Sequence, residues 1–170
     1  WNAIRTAAMS EPLAYLLTWT TYGTWLPGDA RGWVDRHRRH GEIVDPPDAL
    51  RENRAKARMT EDAVILDVPV RHAADEAIRT VCQYKEWFVH ALEVRSNHVH
   101  IVVSAGDVSP GEVMRALKAY ATRAMNALCQ TKPRRHWWTR DGSKGYLNTE
   151  QSLHAAIEYV LHQDVSWRKE

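Results

Sequence analysis

Residues 87–104 read WFVHALEVRSNHVHIVVS. Two runs rich in β-branched and aromatic residues, 87–95 and 98–104, flank the pair Ser96-Asn97. That pattern predicts two antiparallel strands joined by a tight turn. Side chains alternate faces along a strand. His98 and His100 therefore project from one face of the second strand, and Val99, Ile101 and Val103 from the core face. The unbroken run Ile101-Val102-Val103 marks this as a central strand.

Upstream, residues 70–85 place Ala74, Ala77, Ile78 and Val81 at helical spacing. Residues 13–21 (LAYLLTWTT) read as a strand. Between them, residues 22–60 carry Pro27-Gly28, Gly32, Gly41 and Pro46-Pro47, which predicts a surface excursion with one short helix near 48–57. Downstream, Ser109-Pro110 followed by Glu112 is a capping-box signature for a helix. Its expected apolar stripe is Val113, Leu117, Tyr120, Ala124 and Leu128. Residues 132–148 are basic and Trp-rich, with turns at Asp141-Gly142 and Lys144-Gly145 and room for short strands. A final helix spans 149–163, with Thr149 as N-cap and Leu153, Ile157, Val160 and Leu161 expected on its buried side. Hairpin-paired strands interleaved with helices predict an α+β fold, an antiparallel central sheet with helices packed on it. Residues 1–11 read as a leader, and 12–170 as one domain with the excursion at 22–60.

Composition bounds the function. At 170 residues, with 44% hydrophobic and 26% charged, the chain is an ordinary globule. A mean hydropathy of −0.52 and no run near ~18 apolar residues exclude a transmembrane helix. Two cysteines, Cys82 and Cys129, form no CxxC pair, which points away from a disulfide framework and towards a reducing, cytoplasmic setting. Net charge is only +2, but from Arg115 onward basic residues outnumber acidic ones ten to five.

Two histidines on adjacent same-face positions can grip one divalent metal; they can equally be a solvated pair on a half-exposed strand. Tyr159 and Gln163, four residues apart, share one helical face. Tyr120 is a second candidate nucleophile, but it falls on the apolar stripe and reads as core or boundary. His90 and His162 rank below the strand pair, and His37 and His40 read as part of a solvated basic loop. Around residue 135, Arg134, Arg135, Trp137, Trp138 and Arg140 mix cations with flat rings. That composition suits phosphates and unpaired bases, or else a basic loop whose two indoles serve the core. Arg115, Lys118, Arg123 and Lys144 extend the candidate DNA-binding set.

His98-Val99-His100, following Val94-Arg95-Ser96-Asn97, resembles the His-hydrophobic-His (HUH) motif of the single-tyrosine transposases. That family includes the small single-strand insertion-sequence transposases and the REP-associated tyrosine transposases. Glu158-Tyr159-Val160-Leu161-His162-Gln163 resembles its last helix, where a nucleophilic tyrosine precedes a metal-binding amide by four residues. The resemblance covers about 13–21 and 62–165. The excursion, opening with Thr21-Tyr22-Gly23-Thr24-Trp25-Leu26-Pro27-Gly28-Asp29, is longer than in the compact members and has no role assigned by it.

The resemblance implies the ferredoxin-like, RRM-like HUH endonuclease fold. It also implies a metal-dependent endonuclease and strand transferase acting on single-stranded, hairpin-bearing DNA. His98, His100 and Gln163 would hold Mg²⁺ or Mn²⁺, and Tyr159 would form a covalent 5′-phosphotyrosine, freeing a 3′ hydroxyl. Some members are homodimers that share the tyrosine helix, while others act alone. Such an enzyme works in the cytoplasm, at the bacterial nucleoid. Two other readings stay open: a domesticated, non-catalytic protein that binds hairpin DNA, and a metallohydrolase of small phosphoesters built on the HxH pair. The second usually needs further Asp or His ligands nearby, and IVVSAG after His100 offers none.

Overall fold

The structure, a computed structural model, describes residues 11–31, 45–130 and 133–162. The expected leader, apart from Glu11, lies outside these residues, as do His37, His40, Lys132 and Gln163. In chain order the elements are β1 (Ala14–Thr20), α1 (Ala49–Ala57), α2 (Val68–Tyr84), β2 (Phe88–Val94), β3 (His98–Ser104), α3 (Pro110–Leu128), β4 (Ser143–Leu147) and α4 (Glu150–His162). The four strands form one sheet in the order β2-β3-β1-β4, every neighbouring pair antiparallel. Two β-α-β crossovers flanking a central hairpin give the split βαβ, ferredoxin-like topology.

Local chemistry sets the element boundaries. Asp48 caps α1 by accepting from the Arg51 amide, and Asp67 caps α2 through the Val70 amide. Ser109 and Glu112 close a reciprocal capping box on α3, with Pro110 at its first position. The Ser109-Pro110-Glu112 box is the start signal read from the sequence. The β2–β3 hairpin turns at Ser96-Asn97, also as read, with one irregularity between Val89 and Ala91.

The sheet carries helices on both faces. α2 and α3 cover one face, burying Leu17, Trp19, Val99, Ile101 and Val103 against Ala74, Ile78, Val113, Leu117 and Met125. α4 covers the other, where Ala14, Ala91, Val102 and Leu147 meet Ala156 and Val160. The buried row of α3 is Val113, Leu117, Ala121 and Met125, with Met114 beside it. The expected stripe fails at Leu128, which is 53% exposed, whereas Tyr120 packs partly buried at the core boundary, as read. The contact follows the i, i+4 row, along which helix ridges interlock. On α4, Leu161 is likewise exposed rather than buried, because the seam runs through Leu153, Ala156, Ile157 and Val160. Residues 133–148 contribute one strand, β4, and a bridge between Thr21 and Trp138.

Candidate active site

The period-two alternation of β3 puts His98 and His100 on the face that α4 covers. Register places Thr18 of β1 and Glu93 of β2 opposite His100, and Thr20 opposite His98. The two imidazole centroids are 4.6 Å apart. His100 is 4% exposed, so this pair is not solvated. Each ring is pinned at Nδ1, His100 by the Thr18 hydroxyl at 2.7 Å and His98 by the Asn97 side-chain oxygen at 2.7 Å. The Asn97 oxygen can only accept, so His98 Nδ1 carries the proton and Nε2 presents a lone pair. His100 gains the same tautomer when its Nδ1 donates to Thr18. Outer partners of this kind orient metal-binding histidines. Burial pulls His100 down to about 4, with His98 and Arg95 pushing the same way. Burial and then Arg95 lower His98. Both rings are thus neutral near pH 7, the form that binds a metal.

α4 brings Tyr159 to this pair. Ala156 and Val160 anchor the helix to the sheet, and the Tyr159 ring meets His100 edge-on at 5.5 Å between centroids. Tyr159 remains 47% exposed, so a macromolecular substrate can reach it. Tyr120, by contrast, is on α3 behind the sheet, with Arg123 stacked over its ring at 4.8 Å. Among the described residues no group of three or more His, Cys, Asp or Glu is placed to hold a metal. A cation bound here would take two imidazole nitrogens and complete its shell from other donors. Gln163, the expected third ligand, lies one residue past the described end of α4.

The candidate DNA-binding residues divide. Trp137 and Trp138 are 6% and 8% exposed and belong to the core, Trp137 donating to Asn126 at 2.8 Å and Trp138 meeting Trp19 edge-on. Their rings offer no open face for stacking on a base. Lys118 is also committed: its ammonium donates to the carbonyls of Thr139, Arg140 and Asp141 at 2.9, 3.3 and 3.1 Å. Burial brings it down to about 8, against the pull of Asp141. Arg134 is tied to the Asp62 carbonyl and to Glu61. Arg115 and Arg123 are exposed, but on the helix behind the sheet. Lys144, opposite Leu17 in the register, shares that far face. Arg140 is exposed on the loop that meets the end of β1, where the Thr139 amide donates to the Thr20 carbonyl. Arg135 is exposed beside the backbone that Glu61 caps.

The sequence reading missed the residues that hold the histidines. Thr18 and Thr20 do give a period-two signal on β1, and Asn97 immediately precedes His98. Only the register shows that Thr18 lies opposite His100 and Thr20 opposite His98.

The profile of a family described as IS200-like transposases matches residues 57–163, more than half of the chain. No curated protein matches the sequence. Among solved structures, a presumed transposase from Deinococcus radiodurans R1 is similar at 16% identity, over 92% of this chain and 94% of that one, with a TM-score of 0.52. A REP-associated tyrosine transposase bound to a REP hairpin is similar at 13% identity, over 91% of this chain and 68% of that one, with a TM-score of 0.53. At such identities the structures show a shared fold. The family match spans the hairpin with His98 and His100, α3, β4 and the helix with Tyr159, and with it the chain belongs to the IS200-like transposases, of the HUH single-tyrosine kind.

Proposed function

We propose that this transposase is a metal-dependent, single-strand DNA endonuclease and strand transferase whose nucleophile is Tyr159. The observation that carries the reading is the meeting of two pinned, neutral imidazoles with a half-exposed phenol across the sheet–α4 seam. His98 and His100, through Nε2, would hold Mg²⁺ or Mn²⁺, with Gln163 as a further ligand. The donor set of two imidazoles and a carboxamide is uncharged and leaves the cation's charge for an anionic substrate; because imidazole suits softer metals than Mg²⁺, Mn²⁺ fits it as well as Mg²⁺. A bound cation supplies polarisation of the scissile phosphate and offsets charge in the transition state.

The chain's own groups do the rest. Tyr159 gives up its phenolic proton as its oxygen bonds to phosphorus, and the phosphorus–O3′ bond breaks. The products are a 5′-phosphotyrosine and a free 3′ hydroxyl. Attack by another 3′ hydroxyl on that ester restores the phenol and joins the strands. Asn97 keeps His98 in the ligand tautomer, and Thr18 holds the His100 ring at Nδ1. Exposed Arg140 and Arg135 supply cations for the DNA backbone. A hairpin-bearing strand is the proposed substrate, supported by the REP hairpin in the similar structure.

The test uses labelled single-stranded hairpin DNA with Mn²⁺ or Mg²⁺. A covalent protein–DNA adduct should survive a denaturing gel and disappear in Tyr159→Phe. An undiminished adduct in that variant overturns the assignment.

A further inference from the structure

Among the described residues just two polar side chains are buried, His100 at 4% and Thr21 at 0% exposure. His100 belongs to the site. Thr21 opens the segment Thr21-Tyr22-Gly23-Thr24, to which the family resemblance gives no role.

Thr21 ties three parts of the chain together. Its amide donates to the Asn97 carbonyl at 2.8 Å. Its hydroxyl lies 2.6 Å from the Val64 carbonyl and 3.1 Å from the Asn97 carbonyl. With one proton to give, it bonds chiefly to Val64 and leans on Asn97. Thr24 stands behind it. The Thr24 hydroxyl is 2.9 Å from the Thr21 carbonyl, 3.0 Å from the Thr21 hydroxyl and 3.4 Å from the Asn97 carbonyl. Gly23, at φ +75, lets the chain double back; a Cβ there would come within 2.3 Å of the Met59 methyl and 3.0 Å of Ala63 Cα. A second strut holds the same turn, since the Leu66 amide donates to the Ser96 carbonyl at 2.7 Å.

The residue so gripped is the one whose amide oxygen holds the His98 ring. We propose that Thr21, backed by Thr24, is a positioning residue of the metal site: it fixes the backbone of Asn97 so that the Asn97 side chain orients His98. The inference rests on the metal-site reading above, but its first readout does not. Without the Thr21 hydroxyl the Val64 carbonyl loses its donor and the Asn97 carbonyl keeps only the Thr21 amide, which loosens the turn and lets His98 rotate and exchange tautomers.

The experiment uses the full chain and the variants Thr21→Val, Thr21→Ser, Thr24→Val and Asn97→Ala. In the metal-free protein, ¹⁵N NMR of the imidazoles reads the His98 tautomer. Wild type and Thr21→Ser should show one Nδ1–H form; the other three should show a mixture. Mn²⁺ affinity, read by electron paramagnetic resonance, should fall roughly tenfold in those three and be kept by Thr21→Ser. Should Thr21→Val fail to fold, Thr24→Val carries the same test, with Asn97→Ala as the reference for a released His98 ring. A single unchanged His98 tautomer in Thr24→Val and in folded Thr21→Val overturns the proposal, whatever happens to thermal stability or in Asn97→Ala. If the wild type binds no Mn²⁺ while the tautomer shifts as described, the metal reading fails and the positioning of His98 stands.

Discussion

His100 is a titratable ring almost wholly removed from water, and that has a consequence for acid stability. Its folded-state value, lowered to about 4 by burial and by its charged neighbours, lies below the ordinary 6.5 of an unfolded histidine. Above pH 6.5 both states are neutral and the ring adds no pH dependence. As pH falls from 6.5 to 4, the unfolded chain takes up a proton that the folded chain refuses, so stability is lost with acid. The loss from this residue is about 3 kcal/mol across the window, from 1.36 kcal/mol per unit. His98, lowered in the same direction, adds to it. Urea unfolding at pH 7, 6, 5 and 4 should show the decline, and His100→Gln should lose less over the same interval. Equal slopes for the two proteins would rule this out. The rings themselves were legible in the sequence, because strand period alone sets His98 and His100 side by side. Their supports were not: Thr18 is 82 positions from His100, and Thr21 is 76 from Asn97. Nothing local in the sequence links partners so far apart. The two tryptophans misled as a stacking platform for a related reason, since composition cannot say which side of a bridge a ring faces.

At the scale of elements, the starts of helices were the most readable features. Ser109, Pro110 and Glu112 announce α3 by local chemistry, and the structure shows both reciprocal bonds of the capping box. Ser109→Ala should therefore cost about 1 kcal/mol of global stability. The measurement is the denaturation midpoint, with Mn²⁺ affinity as a control that should not move, because α3 lies behind the sheet. An unchanged midpoint would show that Pro110 alone sets the helix start. Helix faces were less readable. The expected α3 stripe drifted away from Ala121 and Met125, and the expected α4 stripe included Leu161. A helix's apolar residues often outnumber its contact positions, and the neighbour's ridges decide which are used. Gly142 shows the same dependence on neighbours. A Cβ there would lie 2.5 Å from the Thr18 carbonyl and 2.9 Å from the Met114 side chain. In the sequence it reads only as a turn.

In the whole molecule the two layers on the sheet are unequal. α3 buries six residues, Pro110, Val113, Met114, Leu117, Ala121 and Met125, all but Pro110 within the larger cluster that also takes in α2. α4 buries two, Ala156 and Val160, aided by partly covered Leu153 and Ile157. Both layers rest on the same strands, so the sheet and the α2–α3 layer do not need α4 to stay closed. Tyr159, the proposed nucleophile, therefore rides on the weaker mount, while the histidines it meets belong to the stronger one. Segments with few buried apolar contacts open at less than the global free energy. Native-state hydrogen exchange should find the amides of 154–160 opening in a sub-global unit, with α2, α3 and β3 exchanging only on full unfolding. Val160→Ala, which removes two methyl groups from a fully buried site, should lower that local opening energy by about 2 kcal/mol. It should leave the slowest α3 amides limited by global unfolding, and it should weaken adduct formation more than Mn²⁺ binding. Exchange of α4 and α3 amides at one common free energy would mean that the two layers fold as a single unit, and that Tyr159 is as firmly held as the histidines it meets.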